Sequence, residues 1–358
     1  MTLRVIQWAS GAVGSQCLKL ILQDPDLELT GLYCYAPDKV GRDAAELVGL
    51  PACGVLATND RDAILAADAD VVVHAALLTP DSWPQFDVDV VELLRSGKNV
   101  IATATYWWPW IDGDEYADRF IAAGRAGNAT LFGTGMHPGV LFDRIAPTLS
   151  VMCGSVESVT FTEVDDVRQH PSWAMLHDQM FMGRRPEEYR PDSAPVQMFR
   201  RMWGQSCYHV AAQLGLALDR LDLELAVGVA TADVELRAGV IPEGTIAGTR
   251  TILRGMVNEV ARVSLEINWY VDPDIPGWPE TRRIWRTEIE GRPSWRNETR
   301  IARTLGDRSA VPWYDGMGTA TAAPAIYAIP AVVAAPPGIL VPPIFTPYRF
   351  RTAPPSVL

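Results

Sequence analysis

Hydrophobic and polar residues alternate with two different periods along the first 135 positions of the chain. Short apolar runs, typical of buried parallel strands, are separated by segments whose apolar residues recur at helical spacing. Six runs of this kind are present: LRVIQW, ELTGLYCY, GVLAT, DVVVHAA, NVIATA and ATLFGTG. This order of elements predicts an α/β domain over residues 1–138, with the doubly wound parallel sheet of the Rossmann fold.

The pattern changes after Pro138. A helix that begins at Gly139, a strand with the sequence VESVTFTEV, and two helices near residues 172–183 and 193–214 are expected first. Long alternating runs then follow, which indicate antiparallel strands with one apolar face. We therefore predict a second α+β domain over residues 139–310, built on an open, mostly antiparallel sheet.

Two further expectations concern how the apolar surfaces of these elements are covered. An open sheet with an apolar face must be packed against something, so helices are expected on one side and a second copy of the chain on any remainder. This favours a homodimer. The Ala-rich segment that ends in IPAVVAAPPGIL predicts a C-terminal helix and tail, residues 311–358, that return to the Rossmann domain.

Composition narrows the function classes. The 358 residues are 48% hydrophobic and 21% charged, no apolar run reaches the roughly 20 residues that span a bilayer, and the N-terminus lacks the zones of a signal peptide. We expect a soluble, cytoplasmic protein without a membrane partner. A net charge of −12 disfavours nucleic acid and favours a small-molecule partner. The five histidines show no metal-ligand spacing, so no metal is expected.

The turn after the first strand has the position of a phosphate-binding loop. The strand RVIQW continues directly into ASGAVG, with Ala9 in place of the first glycine of the G-x-G-x-x-G pattern. Gly11 allows backbone N–H groups to approach a pyrophosphate, and Gly14 allows the helix to pack near the strand. The predicted cofactor-binding residues here are Ser10, Gly11, Ala12, Val13 and Gly14.

The end of the second strand bears on the choice of nucleotide. An acidic residue there binds the adenosine ribose of NAD, but this strand ends at Tyr35 and Ala36. Lys39 and Arg42 follow and are suited to a 2′-phosphate, so NADP is predicted, with NAD left open because Asp38 is nearby. Further cofactor contacts are expected at the carboxyl ends of the later strands, from Ala76, Leu77, Thr79, Thr103, Ala104, Thr105 and Pro138.

Candidate catalytic and substrate-binding residues lie farther along the chain. His137, in the corner GTGMHPG between the two domains, is a candidate for acting on substrate, whereas His74 is interpreted as a hydrogen-bonded core residue. The helix expected from Gly139 would direct its N-terminus at the carboxamide of the cofactor. An apolar, aromatic substrate pocket is predicted from Tyr106, Trp107, Val140, Trp173 and His209.

Four segments together resemble one known family. WASGAVG, YAPDKVGRDAAELVG, GTGMHPGVLFD and IPAVVAAPPGIL are similar to the 2,4-diaminopentanoate dehydrogenases and native amine dehydrogenases, within the wider dihydrodipicolinate-reductase-like group. The resemblance spans nearly the whole chain. It implies an NAD(P)-dependent oxidoreductase that deaminates a small amine, or in reverse aminates a ketone or aldehyde with ammonia, in a homodimer.

The chain departs from this family at one catalytic position. The resemblance implies a glutamate on the loop after the fifth strand, but that loop reads TATYWWPWIDGDEY, with Trp107, Trp108 and Trp110 where the acid is expected. Glu163, on the strand VTFTEVDD, is the replacement that we predict as the catalytic carboxylate.

Two other functions are consistent with the sequence. The first is reduction of a cyclic imine or related C=N or C=C bond, as in dihydrodipicolinate reductases, although the His-His pair and the Lys-rich pocket motif of those enzymes are missing. The second is a non-catalytic NADP-binding sensor, which the missing loop glutamate favours and which would bind the nucleotide without turnover.

Overall fold

The computed structural model describes residues 2–278, 283–302 and 313–350. These residues form two compact units. The first contains the described parts of residues 1–140 and 314–342, and the second contains those of residues 141–313 and 343–358.

The described residues contain fifteen strands and eight α-helices. The strands are β1 Leu3–Trp8, β2 Leu27–Tyr33, β3 Ala57–Thr58, β4 Val71–His74, β5 Asn99–Ala102, β6 Thr130–Gly133, β7 Ser155–Asp166, β8 Arg220–Val229, β9 Val234–Leu236, β10 Gly239–Ile241, β11 Ile246–Val257, β12 Val260–Tyr270, β13 Ile284–Arg292, β14 Trp295–Thr299 and β15 Gly338–Ile339. The helices are α1 Ala12–Gln23, α2 Arg61–Ala66, α3 Trp83–Arg95, α4 Asp114–Gly127, α5 Ile145–Ser150, α6 Ala194–Gln213, α7 Trp313–Tyr327 and α8 Ile329–Val333.

The first unit is built on a seven-stranded parallel sheet in the order β15-β6-β5-β4-β1-β2-β3. Every residue of β4, β5 and β6 is buried, because helices cover both faces of a parallel sheet. The strand order reverses between β1 and β4, which is the position where nucleotides bind in doubly wound sheets. The predicted Rossmann fold is confirmed.

The seventh strand of this sheet and two of its helices come from the C-terminal part of the chain. Strand β15 pairs with β6 in parallel, and α7 and α8 contribute buried side chains to the same core as Val5 and Leu18. These side chains are Ala322, Ala325, Ile326, Ile329 and Val332. By length and composition alone, residues 316–333 would suffice to cross a membrane, with a mean hydropathy of 1.3. Of this window 33% is buried, including the side chains that join the first core.

The second unit contains a six-stranded sheet in the order β14-β13-β7-β12-β11-β8. Its strands pair antiparallel except for β7 and β12, which run parallel and in register. This confirms the predicted open, mostly antiparallel sheet. Helix α6 packs over β11 and β12 on one face. The other face carries ion pairs such as Arg250 with Glu266, 2.8 Å apart. The homodimer expected from the sequence stays a prediction.

Two of the predicted helices are shorter than expected. Gly139 takes a φ of 125°, outside the helical region, so the helix predicted from Gly139 begins only at Ile145. The segment predicted as a helix over residues 172–183 holds a single π-helical stretch, Met175–Gln179, because Phe181 and Gly183 both take positive φ values.

The boundaries predicted at residues 138 and 310 lie close to the divisions that the structure shows at residues 140 and 313. Residues 343–350, which we expected to return to the Rossmann domain, instead lie in the second unit. There the Phe350 N–H donates to the Leu214 carbonyl at 2.9 Å and the Tyr348 N–H donates to the Ser150 hydroxyl at 3.0 Å. Residues 311, 312 and 351–358 of the predicted tail lie outside the described residues.

Candidate functional site

The loop between β1 and α1 has the geometry of a phosphate-binding turn. A Cβ atom on Gly14 would lie 2.1 Å from the Ala9 carbonyl oxygen, so only glycine permits this approach of helix to strand. A Cβ on Gly11 would meet nothing within 4 Å, which leaves open space before the helix N-terminus. No side chain among the described residues caps this end of α1. Its N–H groups and its positive dipole end suit an anion.

Ala9 adopts the conformation that glycine usually supplies at this position. Its φ is 73°, in the left-handed region that costs an L-residue roughly 1–2 kcal/mol. The backbone of the loop therefore follows the glycine pattern although the first glycine is replaced.

Lys39 contacts the phosphate loop directly. Its ammonium group donates to the Ser10 carbonyl at 2.8 Å and to the Ser10 hydroxyl at 3.2 Å. Arg42 is exposed three residues farther on, and Tyr35 is 56% exposed with its hydroxyl accepting from the Trp8 indole at 3.0 Å. The end of β2 therefore presents a cation and an aromatic ring, where an NAD-specific site presents an acid.

The carboxyl end of β4 gives a second surface beside this loop. Leu77 is 60% exposed, whereas Ala76 is buried, and Thr79 exchanges hydrogen bonds with Ser82 at the start of α3. His74 is fully buried between the rings of Trp8 and Phe86, and burial lowers its pKa to about 3. It is a core residue as interpreted, but neither ring nitrogen has a hydrogen-bond partner within the described part of the chain.

The loop after β5 is held from behind by a buried carboxylate. The Asp87 side chain on α3 accepts from the Tyr106 hydroxyl at 2.5 Å and from the Tyr116 hydroxyl at 2.7 Å. Arg119 completes the cluster, 3.2 Å from the second carboxylate oxygen. Tyr106, predicted as a pocket residue, is thus 1% exposed and serves as a buried anchor for the loop.

The other predicted residues at this edge of the sheet are largely buried. Thr105 and Trp107 are buried and Thr103 and Ala104 are half-buried, whereas His137, Pro138 and Val140 lie in the turns after β6. The structure thus brings the predicted nucleotide-binding residues together at the carboxyl edge of one parallel sheet.

In the second unit, Glu163 lies in a buried aromatic environment. Its side chain is on β7, between β12 and β13, and the residue is only 7% exposed. The Trp269 indole donates to one carboxylate oxygen at 2.8 Å and the Trp285 indole donates to the other at 3.0 Å. Trp269 in turn packs edge to face on Phe199 and Trp203 of α6.

A second buried acid shares this face of β7. Asp165 is two residues from Glu163, so both side chains point to the same side of the strand. Its carboxylate lies 2.6 Å from the Arg283 guanidinium. Burial raises the pKa of Asp165 to about 7, although Arg283 opposes this shift, and Glu163 and Asp166 add to it. The sequence analysis did not single out Asp165.

Two predicted pocket residues of the second unit have structural partners. Trp173 stacks on His177 and packs on Gly239 of the short β9–β10 hairpin. His209 shares the buried Asp143 carboxylate with Ser206, at 3.1 Å and 2.9 Å, so it belongs to a hydrogen-bonded network of α6. Within the described residues, no three His, Cys, Asp or Glu side chains form a metal-binding group.

The parallel sheet, its strand order and its glycine turn define the nucleotide-binding domain of the Rossmann-type dehydrogenase class. A family model described as the 2,4-diaminopentanoate dehydrogenase C-terminal domain matches residues 140–342. The chain belongs to this family. The resemblance seen in the sequence is confirmed, and the protein is an oxidoreductase of the dehydrogenase type.

Two characterised relatives have similar sequences. An amine dehydrogenase from Streptomyces virginiae is 29% identical over 301 residues, which cover 80% of this chain and 82% of the relative. A 2,4-diaminopentanoate dehydrogenase from Acetoanaerobium sticklandii is 22% identical over 291 residues, covering 76% and 78%.

Solved structures show the same fold. An amine dehydrogenase from Mycobacterium smegmatis superposes with a TM-score of 0.76 at 22% identity, over 95% of both chains. GenD2 from gentamicin A biosynthesis, solved in complex with NAD, has a TM-score of 0.51 at 13% identity, over 93% of this chain and 87% of that chain. Biliverdin reductase from Synechocystis, solved with biliverdin and NADP+, has a TM-score of 0.50 at 12% identity, over 85% and 86%.

Proposed function

We propose that the protein is an NADP-dependent amine dehydrogenase, which oxidises a small primary amine to a ketone or aldehyde and catalyses the reverse reductive amination with ammonia. The observation that carries this proposal is the buried Glu163 carboxylate between two indole donors, in a chain that also carries a nucleotide-binding turn. The names of the two similar proteins support the amine as substrate class.

The residues of the first unit fit a nicotinamide nucleotide. The open space at Gly11 and the uncapped N-terminus of α1 suit a pyrophosphate. The exposed ring of Tyr35 and the exposed side chain of Leu77 suit an adenine. Lys39 favours NADP because its ammonium group already lies against Ser10, close to where a 2′-phosphate would be held. The nucleotide would supply the hydride acceptor.

Glu163 is the group that handles the proton in this proposal. The ammonium form of the substrate first loses a proton, and transfer of a hydride from the carbon to the nucleotide then leaves an iminium. Water adds to the iminium carbon, its two protons pass to the nitrogen, and the C–N bond breaks to give the carbonyl compound and ammonium. A carboxylate in a largely dry, aromatic site can accept the first proton and relay those of the water to the nitrogen. The tryptophans around it restrict the substrate to small, mainly apolar amines.

The test measures ammonium-dependent consumption of NADPH with a panel of small ketones and aldehydes. We expect turnover by the wild type and a loss of at least about 100-fold in kcat for Glu163→Gln, which keeps the shape but not the basicity of the side chain. Glu157→Gln is the matched control, since Glu157 lies on the same strand with its side chain exposed. It should retain full activity.

Two results would contradict the proposal. Equal loss in both variants would mean that strand β7 tolerates no change, and Glu163 would have no special role. Tight NADPH binding without turnover of any carbonyl compound in the presence of ammonium would favour a sensor or a reductase of another C=N or C=C bond.

A further inference from the structure

Two side chains in the segments that follow β5 and β6 each bury a polar atom that has no hydrogen-bond partner within the described residues. These atoms are the indole nitrogen of Trp107, a residue that is 4% exposed, and the hydroxyl of Thr134, which is fully buried. Trp107 follows β5 by five residues and Thr134 follows β6 directly. Strands β5 and β6 are hydrogen-bonded neighbours, so both residues extend from the same edge of the sheet.

The backbone brings these two segments into contact. A Cβ atom on Gly133 would lie 2.4 Å from the Trp107 backbone nitrogen and 2.5 Å from the Thr105 carbonyl oxygen. The loop therefore folds onto the end of β6, which only a glycine at position 133 allows. The Thr134 N–H also donates to the Ala102 carbonyl at 3.0 Å, which joins the two strand ends.

Trp107 follows an anchored residue. Its neighbour Tyr106 takes a φ of 75° and donates its hydroxyl to the buried Asp87 carboxylate at 2.5 Å. Tyr116 and Arg119 fix the same carboxylate. The backbone from which the Trp107 side chain extends is therefore anchored on one side by the Asp87 cluster.

An indole N–H that is buried without an acceptor costs stability, and native proteins give nearly every such group a partner, which can be a protein group, an ordered water or a bound ligand. Tryptophan offers only a donor, so the missing partner is an acceptor such as a carbonyl oxygen. In open α/β sheets, ligands bind beyond the carboxyl ends of the strands, which is where Trp107 and Thr134 lie.

We propose that Trp107 and Thr134 form a hydrogen-bonding site for the carbonyl oxygen of a bound ligand, with Trp107 as the donor that orients it. This rests on the proposed function, because two carbonyl groups then come into question. One is the ketone or aldehyde substrate, whose carbon becomes more electrophilic when its oxygen accepts a hydrogen bond. The other is the carboxamide of the nicotinamide nucleotide.

The test compares Trp107→Phe with the wild type in two measurements, thermal unfolding of the free protein and ligand affinity. Phenylalanine keeps an aromatic ring but removes the N–H group together with part of the indole volume. The cavity left at this buried position should lower the melting temperature, so thermal unfolding serves to show that the variant is folded at the temperature of the ligand assays. Ligand affinity should fall about tenfold, the effect of one hydrogen bond to a buried group. Trp295→Phe, on the exposed strand β14 of the second unit, is the control and should change neither.

Two ligand measurements, or arms of the test, distinguish whether Trp107 donates to the nucleotide carboxamide or to the substrate carbonyl. A tenfold weaker Kd for NADPH alone, measured by calorimetry, would assign the nucleotide carboxamide. An unchanged Kd for NADPH with a tenfold loss in kcat/KM for the carbonyl compound would assign the substrate. Thr134→Val removes the second group without changing the side-chain shape, and the same arm should respond more weakly.

The proposal is overturned if Trp107→Phe, folded at the assay temperature, leaves both ligand arms unchanged, since the indole N–H would then bind no ligand carbonyl. Should no carbonyl compound be turned over by the wild type, the amine dehydrogenase function fails by itself, and the NADPH arm alone then decides the role of Trp107.

Discussion

Two groups of buried polar side chains in this molecule differ in whether their hydrogen bonds are satisfied. In the second unit, Glu163 accepts from two indoles and Asp143 accepts from Ser206 and pairs with His209. At the carboxyl edge of the first sheet, His74, Trp107 and Thr134 are buried without a hydrogen-bond partner within the described residues. A satisfied network stabilises the free protein, whereas an unsatisfied group lowers stability and is available to a ligand. The two groups of side chains should therefore respond oppositely to mutation.

Removing the centre of a satisfied network should have the largest effect. Asp143→Ala leaves the donors of Ser206 and His209 buried without their shared acceptor, and we expect a loss of about 3 kcal/mol in the free energy of unfolding. Urea denaturation measures this loss. Ser206→Ala removes only one donor and should cost clearly less. A loss below that of Ser206→Ala would show that the network contributes little to stability.

The pH dependence of stability separates Asp165 from an ordinary carboxylate. Burial raises its pKa from 3.8 to about 7, so the folded state binds more protons than the unfolded state over that interval. Stability should therefore fall as the pH rises from about 4 to about 7, the reverse of the usual case. Asp165→Asn should flatten this part of the curve, as followed by urea midpoints at several pH values. A curve unchanged by the substitution would mean that Asp165 titrates normally.

Replacing an unsatisfied group should cost nothing. His74→Leu keeps an apolar volume between Trp8 and Phe86 and removes two unpaired nitrogens, so we expect a gain of about 1 kcal/mol at pH 7. Burial lowers the pKa of His74 from 6.5 to about 3, so at pH values between these two the unfolded wild type binds a proton that the folded wild type does not. The free energy of unfolding of the wild type therefore falls as the pH falls. The advantage of the variant over the wild type should grow at pH 5. Destabilisation at both pH values would show that stacking outweighs the unpaired nitrogens.

The smallest expected effect is at the phosphate loop. Ala9→Gly relieves a φ of 73° at the loss of one buried methyl group, so a gain of no more than about 1 kcal/mol is expected. Ala63→Gly, at an exposed position of helix α2, should change stability in the opposite direction by about 1 kcal/mol. Chemical denaturation of both variants gives the comparison, and a loss at both positions would contradict strain at Ala9.

The fold could be predicted where the determinants are local. Apolar runs such as Val71–Val73 identified the parallel strands, and the ASGAVG pattern identified the turn between β1 and α1. The sequence analysis did not predict strand β15, because its two residues are too few to show a periodic pattern. It predicted too long a helix over residues 172–183, because the hydrophobic pattern does not reveal a positive φ such as that of Phe181.

The surroundings of the candidate site depend on residues far apart in the chain. The sequence analysis named Glu163 as a candidate from its place on a predicted strand. It did not name the residues that donate to its carboxylate, Trp269 and Trp285, which are 106 and 122 residues away in the chain. The alternation within β12 places Trp269 on the same face as Ile267 and Leu265, which is a signal that sequence could have used. The pairing of β7 with its two neighbours, which joins these side chains, has no local signature.

The C-terminal completion of the first sheet has a consequence for the order of folding. Strand β15 and the buried side chains of α7 and α8 are synthesised only after residues 141–313, although they complete the core built by residues 1–140. During synthesis part of the apolar core of the N-terminal portion therefore stays uncovered until residues 141–313 and the segments that follow them to β15 have left the ribosome. The second unit can complete its sheet first, and a nascent first domain would be a natural client for a chaperone during that interval.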